Sequence, residues 1–363
     1  MSDGRPVSRR GLLTGALGLA AAGSLASCTR YHPPTPTPVA APAGSPSSGD
    51  GGNVPVKEPA LPTIPNRYEV IATRPQPIMD RIELGSFLQL KKTLLGTQVL
   101  TTAQAEALRR KQLGVGPKIV HWFYRFDDPF PDTYQLDVPG ATLCYSWFGT
   151  AYDRILSGRY DERIADNARR LASYGHPMFL RFMWEMNGNW YLHSGPRNGN
   201  SPAKFIKTWR YVYDIFQKHG ADNVGWVWSP YTRSDPVAKW NTLEAYYPGD
   251  DYVDWVGVSG YFKRSEDTPE ELFDEIYRHY TARKPMMITE TGIARMDPAV
   301  MVGRLKTLPP YLDQRPGICA ILWFDTNVHV NGQNQHVDLR IDINKPLLAA
   351  YKSMAHLPMF VTT

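Results

Sequence analysis

The chain has 363 residues, 42% hydrophobic and 12% aromatic, a globular composition with room for one to three domains. Its formal charge of +5 draws on three N-terminal arginines, and no clustered Lys/Arg run follows, which argues against a nucleic-acid partner. Cys28, Cys144 and Cys319 form no disulfide framework, and no His/Cys/Asp cluster has metal-ligand spacing, so neither a metal nor another cofactor is expected.

Residues 8–28, "SRRGLLTGALGLAAAGSLASC", combine paired arginines, a short apolar stretch and small residues before a cysteine. Arg9-Arg10 resembles a twin-arginine export signal, and Leu25-Ala26-Ser27-Cys28 resembles a bacterial lipobox, which would make Cys28 the lipid-bearing N-terminus after cleavage. The apolar run is too short for a comfortable membrane span. An ordinary cleaved leader is the alternative. Residues 29–77 are rich in Pro, Gly and Ser and read as a disordered tether holding a domain away from a membrane surface.

From residue 78 to about 358, short apolar runs alternate with amphipathic helical stretches. The runs are "RIELGSFL", "KIVHWFY", "ATLCYSWF", "MFLRFMWE", "VGWVWSP", "VDWVGVSGYF", "PMMITETG" and "CAILWFD". Near-continuous apolar strands suit a parallel sheet buried on both faces. Helix punctuation lies between them: Ser201-Pro202 opens a helix that closes at Gly220, Thr268 to Glu271 has capping-box spacing, and residues 160–175 end at Gly175. The pattern predicts an α/β chain with a single (β/α)8 TIM barrel. A doubly wound open sheet is the rival, but no glycine-rich phosphate loop follows the first strand.

Chemistry in such barrels sits at the C-terminal ends of the strands. Those ends carry His121, Trp122 and Tyr124, then Tyr145 and Trp147, then Arg181, Glu185 and Asn187. Trp228, Tyr231, Tyr261, Glu290, Trp323 and Asp325 follow. Two glutamates ringed by aromatics suit a sugar cleft, where flat rings stack on pyranose faces and a carboxyl pair cleaves the acetal.

"RFMWEMNGNWY", "YYPGDDYVDWVGVSGY" and "ITETG" together resemble glycoside hydrolase family 26, best known for β-mannanases, over roughly residues 80–345. The resemblance implies a retaining endo-β-glycanase with Glu185 as general acid/base and Glu290 as nucleophile. It makes Trp190 a sugar platform, Tyr261 the partner that orients the nucleophile, and His121 and Trp323 contacts in the cleaved-side subsite. Trp122, Trp147, Arg181, Trp184, Asn187 and Trp228 complete the candidate substrate-binding set. Two positions depart from the family pattern: Trp184 stands where His is usual before the acid/base, and Ser259 where Asp is common before the strand-six Gly-Tyr. Both touch the subsite that tells mannose from glucose, so a mixed-linkage glucan or another β-glycan is as open as mannan.

Arg181 is expected to orient a carboxylate, and alternation should turn about half of Trp122, Trp147, Trp226 and Trp228 into the barrel wall. Cys144 and Cys319 read as small buried hydrophobes. His176, His193, His219 and His279 are expected at the surface, while His329 and His336 have a route to the cleft. The expected protein is an exported, lipid-anchored or secreted monomer with a polysaccharide substrate. The competing reading is a surface carbohydrate-binding protein on a barrel scaffold whose catalysis has decayed.

Overall fold

A computed structural model describes residues 60–90, 100–131, 139–327 and 337–363. Eight parallel strands close into a barrel: β1 (Ile82–Gln89), β2 (Ile119–Tyr124), β3 (Thr142–Trp147), β4 (Met178–Phe182), β5 (Val224–Trp228), β6 (Trp255–Ser259), β7 (Met286–Thr291) and β8 (Ile318–Thr326). Each pairs with its sequence neighbour, and β1 pairs with both β8 and β2, which leaves the ring without a free edge. A two-residue strand, β9 (Phe360–Val361), adds to the lower end of β1, so the chain contributes to the sheet slightly beyond residue 358.

Helices α1 (Thr102–Leu113), α2 (Tyr152–Leu156), α3 (Asp161–Tyr174), α4 (Pro202–Lys218), α5 (Pro269–Tyr280), α6 (Pro298–Asp313) and α7 (Lys345–Ala355) surround the strands. The punctuation read from sequence is where these helices start and stop. The Ser201 side chain accepts from the Lys204 N–H, that of Thr268 accepts from the Glu271 N–H, and Gly175 closes α3 with a φ of 70°. The strict alternation fails between β5 and β6, where residues 229–254 form only two short 3₁₀ turns. Pro230, Pro236 and Pro248 remove the N–H groups that a continuous helix needs.

The barrel interior is layered. At the N-terminal end lie Ile119, Cys144, Phe179, Val227, Trp255 and Met287, an apolar floor that Tyr68 packs against from below. The last part of the stretch read as tether therefore belongs to the folded body. Tyr68 donates its hydroxyl to the Thr281 carbonyl at 2.7 Å, Pro75 accepts from the Trp255 indole at 3.1 Å, and buried Arg74 pairs with Asp254 at 2.8 Å. Burying one Tyr of this size stabilises by about 2 kcal/mol. Proline content made 29–77 read as a tether; it could not reveal that residues 60–77 lie against the bottom of the barrel. Cys144 and Cys319 are buried free thiols, as expected of small hydrophobes.

Candidate active site

Above the floor the inward side chains turn polar. His121 lies 2.7 Å from Ser146 Oγ, which also accepts from Arg181 at 3.2 Å, and Ser229 and Thr289 bond each other at 2.7 Å. Arg181 is fully buried, and its Nη2 donates to Ser259 Oγ at 2.5 Å while its Nη1 pairs with Glu290 Oε1. Burial and the Arg181 charge push His121 well below its usual range, so it is a neutral ring inside the barrel.

Glu290 reaches this layer because β7 is irregular. Met286 and Ile288 face the helices and Met287 the interior, so a strict period of two would send Glu290 outward. The register shifts by a residue between Ile288 and Thr291 against β8, and between Val258 and Ser259 against β6. That bulge re-aims Glu290 into the mouth. There Arg181 holds Oε1 and the Tyr261 hydroxyl donates to Oε2. Burial and the two glutamate charges raise Tyr261 well above its usual range, which keeps it a donor.

Glu185 arrives differently. Strand β4 stops at Phe182, and the chain turns through Met183 and Glu185 at φ of 44° and 54°, a region that non-glycine residues seldom occupy. The turn is held by Met183 N–H to the Trp147 carbonyl at 3.1 Å and by Glu185 N–H to the Ser229 carbonyl at 2.8 Å. His193 clamps it from outside, donating to the Trp184 carbonyl and accepting from the Gly149 N–H at 3.1 Å. Strain of this kind costs about 1–3 kcal/mol per residue and persists where surrounding bonds over-determine it. Trp190 folds back to donate its indole N–H to Glu185 Oε2 at 2.8 Å. Gly188 makes room, since a Cβ there would stand 2.3 Å from the indole ring.

The two carboxyls sit in different surroundings. Glu185 is 6% exposed, and burial, with the Glu290 charge adding to it, pushes it up to about 7. Arg181, Ser259 and Trp190 oppose that shift without cancelling it. Glu290 instead has a guanidinium on one oxygen and a phenol on the other. The pair can hold one proton and one negative charge side by side, which acetal cleavage requires.

Residues 143–330, just over half of the chain, match the sequence profile of glycosyl hydrolase family 26. The chain belongs to this family. It is 27% identical over 272 residues to Endoglucanase H of Acetivibrio thermocellus, covering 71% of this chain and 29% of that protein. It is 30% identical over 142 residues to beta-1,3-xylanase TXYA of a Vibrio species, covering 39% of this chain and 29% of that protein. The chain thus spans under a third of the length of these curated relatives. Among solved structures, Bacillus subtilis mannanase superposes with a TM-score of 0.53 at 20% identity, over 78% of this chain and 87% of that one, a likeness of fold.

In this family 26 chain, Glu185, Glu290, Arg181, Trp184, Trp190, Tyr261 and His121 come together. Arg181 pairs with Glu290 and not with Glu185. Trp184 is buried between Phe123, Phe148, Tyr191 and His193, with the Arg181 guanidinium 5.2 Å from its ring. Other candidates lie elsewhere. Trp147 packs on Phe126 and Phe216, Trp228 on Tyr247 and Tyr280, and Trp323 on Tyr351 of α7, all between barrel and helices. Trp122 is only partly buried but also faces the helix layer. Asn187 is a buried clamp: its side chain accepts from the Tyr231 N–H and donates to the Tyr231 carbonyl, each at 2.8 Å. His193 is buried rather than at the surface, its ring driven down to about 4 chiefly by burial. His176 and His279 are exposed, and Cys28, His329 and His336 lie outside the described residues.

Residues not singled out complete the wall. Phe123, two positions beyond His121 on the same face of β2, packs on Phe87 at 4.8 Å and edge-on to Phe324 at 5.8 Å. Alternation from His121 was a signal that could have found it. Tyr191 had none, because it sits in an irregular loop. Burial, with the charges of Glu185 and Glu290 adding to it, raises its phenol well above the usual range.

Proposed function

We propose that this chain is a retaining endo-β-glycanase, with Glu185 as general acid/base and Glu290 as nucleophile. The observation that carries the reading is the unlike setting of the two glutamates. Glu185 keeps its proton near neutrality and can deliver it to a departing glycosidic oxygen. Glu290, held by Arg181 and Tyr261, is oriented to attack the anomeric carbon and form the glycosyl-enzyme. A water activated by Glu185, now the base, then releases the sugar with retained configuration. Such an arrangement also speaks against a decayed binding protein, which has no use for an acid and a nucleophile in register.

The substrate is a β-linked polysaccharide. The names of the relatives range over endoglucanase, β-1,3-xylanase and mannan endo-1,4-β-mannosidase. A buried indole at Trp184 offers a sugar 2-hydroxyl less hydrogen bonding than an imidazole, so unsubstituted β-1,4-mannan is the weaker substrate in this proposal. An N-terminal export signal ending at Cys28, with a lipid there and a Pro-rich tether, would hold the barrel outside the membrane. A polysaccharide panel of mannan, mixed-linkage glucan, xylans and cellulose, read by reducing ends and product analysis, tests the activity. No release from any of them would leave the binding-protein reading standing. Detergent-phase partitioning that is lost in Cys28→Ala tests the anchor.

A further inference from the structure

The loop after β6 carries a cation that neither fold nor chemistry so far has used. Lys263 is exposed, and its Nζ donates to the Tyr231 hydroxyl at 2.9 Å. The ammonium lies 5.3 Å from the Tyr231 ring centre and 5.7 Å from that of Tyr261, the partner of Glu290. Among the described residues no carboxylate stands within ion-pair distance of it. The nearby acid, Asp267, is already engaged: Oδ2 accepts the backbone N–H groups of Lys263 and Arg264 at 2.8 Å, and Oδ1 pairs with the Arg264 guanidinium at 2.6 Å. Asp267 thus fixes the backbone at Lys263 while Arg264 matches its charge.

Tyr231 is equally well placed. Asn187 clamps its main chain from both sides, and its ring stands edge-on to Trp190 at 5.2 Å, the same Trp190 that bonds Glu185. The ammonium is therefore tied through two aromatic rings to the residue that protonates the leaving group. Aromatic faces take the C–H face of a pyranose, and an unmatched cation beside them takes an anion on its edge.

We propose that Lys263, Tyr231 and Trp190 form a leaving-group-side subsite for a sugar ring bearing a carboxylate, so that the preferred substrate is an acidic β-glycan. The proposal rests on the hydrolase reading above. The carboxylate belongs either to a uronic acid in the backbone or to an acidic substituent on a neutral ring.

The test takes the β-glycan the full chain cleaves, oxidises it partially at C6 to the uronate where the backbone is built of hexoses (a xylan, which has no C6, is carboxymethylated instead), and compares parent with modified polymer. The modified polymer should be cleaved with kcat/KM about fivefold higher, the upper end of what an exposed ion pair contributes. The ratio should fall toward one at about 0.5 M salt, where charges are screened within a few ångströms. Lys263→Gln should bring the ratio close to one at low salt, Lys263→Arg should keep it above one, and Lys263→Glu should invert it. A carboxymethylated polymer separates the sources: an equal gain points to a substituent, and a gain confined to the C6 uronate points to a backbone ring. The subsite is refuted if the modified polymer is cleaved no better than its parent, or if Lys263→Gln slows both by one factor. If no β-glycan is cleaved at all, the hydrolase reading falls by itself. Calorimetric binding of oxidised against parent oligosaccharide to the Glu290→Gln protein then still decides the subsite, and equal affinity rejects it.

Discussion

Trp190 donates its indole N–H to Glu185 Oε2 at 2.8 Å, and it can do so because Gly188 leaves the ring a place to lie. A methyl at Gly188 would fall 2.3 Å from the indole, so the ring must move. Gly188→Ala should lower kcat/KM by roughly tenfold or more, the loss of about one charge-assisted hydrogen bond. That bond pulls the Glu185 pKa down, against burial. Its loss should shift the basic limb of the pH–rate profile upward. A downward or absent shift, with activity still lost, would mean that the indole serves the sugar and not the carboxyl.

Glu185, pushed up to about 7, should give the wild-type kcat/KM a basic limb near neutrality, above which the acid has lost its proton. Glu290→Ala should abolish turnover of every substrate. Glu185→Ala should spare attack on aryl glycosides with good leaving groups, and azide should then restore the second step as a β-glycosyl azide. Products followed by NMR should appear first as the β-anomer, since retaining enzymes hold their carboxyls about 5–5.5 Å apart with no room for a water between. Initial formation of the α-anomer would overturn the assignment.

Tyr191→Phe removes a hydroxyl that feels the charges of both glutamates without removing the ring that stacks on His193 at 5.0 Å. The expected result is a fall in kcat/KM of about tenfold, on the order of one hydrogen bond, with Tm unchanged to within a degree or two. A large drop in Tm with kcat/KM per folded molecule intact would make Tyr191 a packing residue.

Glu83, on the inner face of β1 and 5% exposed, is raised by burial from 4.5 to about 7, with Lys118 opposing the shift. Between those two values the folded chain holds a proton that the unfolded chain has released, so stability falls as pH rises from about 4.5 to about 7. The loss is about 3 kcal/mol if the site cannot relax. Glu185 adds to it with the same sign. Denaturant unfolding at pH 5 and pH 8 should show the decline, and Glu83→Gln should flatten part of it. An equal decline in the Glu83→Gln protein would discharge Glu83 from this part.

Much of this protein could be read from its letters. Eight apolar runs spaced by capped helices specify a closed parallel barrel, because strands buried on both faces leave a continuous apolar signature and helix ends demand particular side chains. Glu185 and Glu290 stood out because a carboxyl at the end of an apolar strand has to be paired or put to use. The direction in which each side chain points was settled by tertiary structure. A residue's face follows from strict alternation only while register holds, and the bulge in β7 turns Glu290 inward against that count. Alternation also sends Trp147, Trp228 and Trp323 into the helix layer, although their letters look the same as that of Trp190. Asn187 reads as a sugar-binding amide, yet it is spent on the backbone of Tyr231, a bond between residues 44 positions apart. Tyr191 and Lys263 sit on irregular loops with no period to betray them. Only the closing of the ring, which gathers eight strand ends on one rim, brings those loops beside the carboxyls.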